Sequence, residues 1–189
     1  SSNLFTSKAP LWPGLTNNQS NQDAAYEPNN GEYLVVFEYE DHIWGCLLPG
    51  SGGSTDLSDL LQITSNSYSN RYPAVAHING VFPTFDGASA ASELMISYRQ
   101  YDSGGNTYTL KLRSIELESN GWYLYDKGDV KIYDASEARV EESFLVGSWG
   151  RDQVLLFWEL KWDPSNKNNY DIFAFRLKKE YVYLPLIVK

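Results

Sequence analysis

Tyr33-Leu-Val-Val-Phe-Glu-Tyr-Glu40, followed across the polar link Asp41-His42 by Ile43-Trp-Gly-Cys-Leu-Leu48, is the stretch on which the fold turns. Both runs are rich in β-branched and aromatic residues, and the turn signal Asn29-Asn30-Gly31 precedes the first, so they read as a hairpin. The first run is apolar on both faces: Leu34 and Val36 alternate with Val35 and Phe37. Such a strand must be covered from both sides, which a stack of face-packed sheets achieves and an ordinary sandwich with one wet face does not.

Working outward, the same arrangement recurs. Leu94-Met-Ile-Ser-Tyr98 and Tyr108-Thr-Leu-Lys-Leu-Arg113 flank the glycine-bearing turn Asp102-Ser-Gly-Gly-Asn106, and Val154-Leu-Leu-Phe-Trp158 and Ile172-Phe-Ala-Phe-Arg176 flank Asp163-Pro-Ser-Asn-Lys-Asn-Asn169. Asp41, Asp102 and Asp163 lie 61 residues apart (102 − 41 = 163 − 102 = 61), each closing the first strand of its pair. A further strand is expected upstream of each pair, in Asp23–Tyr26, Tyr72–His77 and Ser143–Trp149, and another downstream, in Leu60–Thr64 and in Trp122–Tyr125 or Val130–Tyr133. The expected fold is all-β: three four-stranded antiparallel blade-like repeats, forming a partial propeller or stacked sheets, with an irregular β-sandwich as the alternative.

Arg71-Tyr-Pro-Ala-Val-Ala-His77, Tyr33-Leu-Val-Val-Phe-Glu38 and Ile43-Trp-Gly45 together resemble the repeat of secreted bacterial β-propeller-like proteins, over roughly Asn21 to Lys179. The resemblance implies an architecture and no particular activity. Closed propellers of that kind have four or more blades; three are legible here. The turn from Asp102 to Tyr108 is faintly similar to the Asp-box of sialidase-like propellers, with one extra residue and in a different hairpin.

Charge and composition narrow the function. Of 189 residues, 15 are Lys or Arg and 24 are Asp or Glu, and the net charge of −9 repels phosphate backbones, so no nucleic acid is expected as partner. No apolar run approaches the roughly 20 residues that span a bilayer. Cys46 is the sole cysteine, which excludes an intramolecular disulfide and a cysteine metal cluster. Met95 is the sole methionine, so Ser1 is not a translation start, and abundant Asn, Ser, Gly and Tyr point to a secreted or cell-surface protein.

Three units divide the chain: an N-terminal docking arm over 1–20, one β domain of three repeats over 21–179, and a C-terminal strand tail over 180–189. The arm carries Leu4, Phe5, Leu11, Trp12 and Leu15 and is too apolar for a free linker. In the tail, Val182, Leu184, Leu186 and Val188 alternate on one face, an assembly strand expected to pair with a sheet edge, by preference that of another copy of the chain. Its Tyr-Leu-Pro-Leu core is similar to short C-terminal tails of some secreted bacterial proteins.

No constellation names a reaction. His42 and His77 have no metal-ligand spacing, no Gly-x-Ser-x-Gly elbow is present, and the acidic clusters Glu38-Tyr-Glu-Asp41, Glu116-Leu-Glu118 and Glu141-Glu142 read as solvated strand faces. Gly50-Ser-Gly-Gly-Ser54 lacks the lysine of a phosphate loop, so no cofactor is expected; the oxygen-rich Asp163–Asp171 stretch could bind Ca²⁺ but lacks the calcium-loop pattern. Trp162 and Tyr101, the latter equivalent to Glu40 in the repeat, are the candidate ligand-binding aromatics, since flat rings beside Asn and Asp suit sugars. The expected role is a non-enzymatic secreted subunit that self-assembles through its terminal arms; the alternative is a module for cell-surface glycans.

Overall fold

The computed structural model describes residues 19–28, 31–50, 60–78, 93–105, 107–118, 121–130, 139–147, 153–161, 170–178 and 185–188; beyond residue 115 it describes side chains only for 155–161 and 171–174. Every regular element among them is a strand: β1 (Ser20–Glu27), β2 (Glu32–Tyr39), β3 (His42–Pro49), β4 (Leu60–Gln62), β5 (Ser69–Ile78), β6 (Glu93–Asp102), β7 (Thr107–Glu118), β8 (Gly121–Val130), β9 (Arg139–Gly147), β10 (Gln153–Lys161), β11 (Tyr170–Lys178) and β12 (Pro185–Val188). The protein is all-β with antiparallel sheets. Hydrogen bonding orders the strands as β1-β2-β3-β4, β5-β6-β7-β8 and β12-β11-β10-β9.

One irregularity recurs in all three sheets. Between Val36 and Glu38 of β2 the partner strand β1 inserts an extra residue, Ser20 pairing with Glu38 and Asp23 with Val36. The same bulge lies opposite Ser97 and Arg99 of β6, and again opposite Trp158 and Leu160 of β10. The positions 36, 97 and 158 are spaced by 61 residues, as are 38, 99 and 160. An extra residue twists and bends its strand, so each first strand turns at the same height. In the first two bulges a non-glycine residue takes positive φ, Asn21 at 49° and Tyr72 at 52°.

The core lies between the first two sheets. Ala25, Leu34, Val36 and Ile43 on one side meet Val75, Leu94, Ile96, Tyr98 and Ile115 on the other, with Ile63 closing the seam. Ile63 fits because β3 has glycine opposite Val36: a Cβ on Gly45 would stand 3.0 Å from Ile63 Cδ1 and 3.2 Å from Leu34 Cδ1. The strands β1, β2 and β3 lie across β5, and β5, β6 and β7 lie across β9 in the same manner. In the third sheet Leu156, Trp158 and Leu160 are buried, and Trp158 stacks on Phe173 at 5.5 Å. Leu155 and Ile172, on the opposite face, are exposed.

The end of the tail forms a strand: Pro185–Val188 pairs antiparallel with β11 of the same chain, from Ile172↔Val188 to Phe175↔Pro185. It takes the fourth place in its sheet, the place of β4 and β8 in theirs. Pro185, with no N–H to give, opens the strand. Asp41 sits in the β2–β3 turn and Asp102 ends β6, while Asp163 lies outside the described residues.

Candidate functional site

Three connections meet at one end of the first two sheets: the β2–β3 turn, the β4–β5 link and the β6–β7 turn. They enclose an open cleft of about 540 Å³ lined by Glu40, Asp41, His42, Asn66, Ser67, Tyr68, Ser69, Tyr101 and Ser103. Glu40 and Asp41 form a two-residue hairpin turn with φ of 49° and 64°. Turns of this hand favour Gly, Asn and Asp, so Glu40 is the residue that holds strain for the surroundings to offset.

The hydrogen bonds around Asp41 supply that offset. Its backbone carbonyl accepts from Asn70 N at 2.9 Å and from Asn70 Nδ2 at 3.3 Å. Its carboxylate accepts from Ser69 Oγ at 3.1 Å and forms an ion pair with Arg71 Nη2. Asn70 is fully buried and its amide also reaches Asn66 Oδ1 and Tyr68 O, both at 2.9 Å, while its Oδ1 accepts from Gln100 Nε2. Two N–H groups shared among three acceptors fix the amide, and with it the cleft floor.

Behind the floor stands Glu38, whose carboxylate is 3% exposed. It accepts from Ser20 Oγ and Asn21 Nδ2 in the first bulge, and from Tyr72 N and Arg71 Nη1 in the second. One buried charge thus ties two bulges in two sheets. Arg71 bridges onward to Asp41, linking this tie to the cleft.

Among the residues predicted from sequence, Tyr101 lines the cleft, half-buried and stacked on Tyr108 at 4.6 Å. Its repeat equivalent Glu40 lines the same cleft from the neighbouring sheet. Trp162, Val182 and Leu184 lie outside the described residues, and Leu186 and Val188 are in β12. Sequence reasoning missed Tyr68, Asn66 and Asn70. The one available signal was the density of Asn, Ser and Tyr in Ser65–Asn70 ahead of an apolar strand, a composition that also describes any exposed loop.

Tyr68 is exposed, and Nδ1 of His42 is buried with no hydrogen-bond partner. The cleft therefore offers two aromatic rings with carboxylate, amide and hydroxyl groups. Among the described residues no three His, Cys, Asp or Glu side chains are grouped to hold a metal ion, and no helix is long and apolar enough to cross a membrane. No protein-family model, curated protein or solved structure matches the chain.

Proposed function

We propose that this chain is a non-catalytic, extracellular module that binds a carbohydrate in the cleft beside Glu40, Asp41, Tyr68 and Tyr101. The observation that carries the reading is the convergence of Tyr68 and Tyr101 with polar groups of both hydrogen-bonding senses in one shallow, rigidly floored cleft. Sugar rings present C–H faces that pack on aromatic rings and hydroxyls that both donate and accept. The side chains of Asn66 and Ser67 match the second need. The net charge of −9 and the acidic turn favour neutral or amine-bearing sugars over polyanionic ones.

The finer architecture belongs to the same proposal: three blade-like repeats stacked as a partial propeller. The 61-residue recurrence of the bulge and the repeated crossing of each sheet's strands over the first strand of the next support it. An irregular sandwich would not be expected to repeat a bulge at a fixed period.

A panel of immobilised neutral, amino and acidic glycans tests the function, followed by calorimetry on any that bind. Binding of at least one neutral or amine-bearing glycan, weakened several-fold by Tyr68→Ala, is expected; a panel without binding, or binding indifferent to Tyr68, sinks the reading.

A second reading, assembly of copies by exchange of the tail, is favoured by one observation. The β11–β12 pairing is four residues long and lies at a sheet edge, so a neighbour's tail would replace it in the same register. Concentration-dependent oligomers in light scattering would support it, and a monomer at all concentrations would refute it.

A further inference from the structure

The cleft is unevenly charged. Its lining holds two carboxylates, Glu40 and Asp41, and no lysine or arginine. Two guanidiniums stand behind that lining, and both are engaged. Arg71 bridges Glu38 and Asp41, while Arg99, 6% exposed, lies over the rings of Tyr72 and Tyr108 at 4.5 and 5.3 Å from their centroids. Against these two cations stand Glu38, Glu40, Asp41 and Asp102, the last at the end of β6 with its carboxylate on Gly104 N. Tyr68 and Tyr101 add two rings to the same lining, and the face of an aromatic ring carries negative potential. A cation entering the cleft is attracted by its carboxylates and by its rings, whereas a neutral sugar gains only the contact with the rings and the hydrogen bonds.

The β2–β3 turn separates the roles of its two acids. Asp41 belongs to the floor, because its carboxylate accepts from Ser69 Oγ and pairs with Arg71. Glu40 is exposed at the rim with φ of 49°. Asn, Asp or Gly would hold that position with less strain, so the turn itself does not call for a glutamate. A residue kept against its local backbone preference beside a cleft is one whose side chain serves the cleft. Glu40 comes from the first sheet and Tyr101 from β6 of the second, and the cleft places the carboxylate and the ring in one lining.

Resting on the carbohydrate reading of this cleft, we propose that its preferred ligand is a glycan bearing a free, protonated amine, such as a glucosamine unit, and that Glu40 sets this preference. The ammonium group is attracted to the Glu40 carboxylate, with Asp41 adding to the field, while the sugar ring packs on Tyr68 or Tyr101. N-acetylation removes the charge and leaves the ring, so the acetylated form of the same sugar loses the first contribution and keeps the second. An exposed ion pair of this kind supports a preference of up to about fivefold, which salt screens.

Calorimetric titration of the full chain with a β-1,4-linked glucosamine tetramer and with its N-acetylated counterpart tests this, at about pH 6, where an amine keeps its proton. Binding of the amine form about fivefold tighter at low ionic strength is expected, the ratio shrinking below about twofold in ~0.5 M salt, where the Debye length is only a few ångströms. In Glu40→Gln the ratio of the two affinities should fall to near one. Glu40→Asn should do the same while melting no lower than wild type, because Asn suits a left-handed turn position better than Glu. A melting temperature that falls together with the preference would make Glu40 a prop of the turn and overturn its role. Equal affinities for the two tetramers in wild type, or a preference that survives both variants, overturns the proposal and leaves the carbohydrate reading standing. If neither tetramer binds, the proposal falls as well, and the wider glycan panel shows whether the carbohydrate reading falls with it.

Discussion

Glu38 on β2 accepts a hydrogen bond from the backbone N–H of Tyr72, a residue held at φ 52° in the bulge of β5. The side chain of one sheet thus satisfies the backbone of the next at the point where that backbone is most strained. Such a bond is charge-assisted and buried, and fixes how the two sheets stack. Replacing Glu38 by Ala leaves Tyr72 N and Asn21 Nδ2 without their acceptor and is expected to destabilise the fold by about 3 kcal/mol, with Glu38→Gln intermediate. Urea unfolding of the two variants checks this; equal stability of wild type and Glu38→Ala would contradict it.

Gly45 admits Ile63 into the seam between the sheets. Gly45→Val puts a Cβ and two methyls where Ile63 Cδ1 and Leu34 Cδ1 already stand at 3.0 and 3.2 Å from the Cβ position. Overpacking of this kind is expected to lower stability by about 1–3 kcal/mol. Gly45→Val combined with Ile63→Ala should recover part of the loss, measured by the same unfolding midpoints.

In the cleft, Tyr68→Ala and Tyr101→Ala are each expected to weaken carbohydrate binding about fivefold, the loss of roughly 1 kcal/mol of ring contact. Tyr68 is exposed, so its removal should leave the melting temperature unchanged; Tyr101 is stacked on Tyr108, so its removal should lower it slightly. Calorimetric titration with scanning calorimetry on the same samples separates the two effects.

His77 gives stability a pH dependence. Burial lowers its pKa from 6.5, and the Glu27 carboxylate, with Oε1 3.8 Å from Nε2, opposes that shift without cancelling it. The unfolded chain then binds the proton first as pH falls, so the stabilisation is present above pH 6.5 and is lost as pH drops through the folded-state pKa. Unfolding midpoints at pH 7.5 and 5.5 should fall more for wild type than for His77→Gln; parallel curves would remove His77 from the account.

Deleting Tyr181–Lys189 removes β12 and exposes the β11 edge. Loss of the third sheet's cooperativity is expected, visible as a lowered melting temperature and easier proteolysis within β9–β11, with aggregation through the bared edge. A truncated chain that melts like the full one would show that β12 contributes nothing to its sheet.

Antiparallel hairpins were legible because their signals are local: alternation and turn residues are written in consecutive positions. The two-faced burial of β2 also followed from sequence, since Leu34, Val35, Val36 and Phe37 leave no polar face to put in water. By itself the sequence determined an antiparallel all-β chain with apolar strands, an acidic surface and no nucleophile or metal motif. Tertiary structure alone decided the rest. The tail read as a spare strand because its alternation carries no mark of partner, whereas in space it is the fourth strand beside β11. Glu38 and Glu40 look alike in a row of acids, yet the bulge geometry buries one between sheets and turns the other toward a cleft. Asn70, Tyr68 and Tyr101 meet there because separate connections converge at one end of the stack, a relation over some 30 residues of chain that is set by sheet packing and not by neighbouring residues.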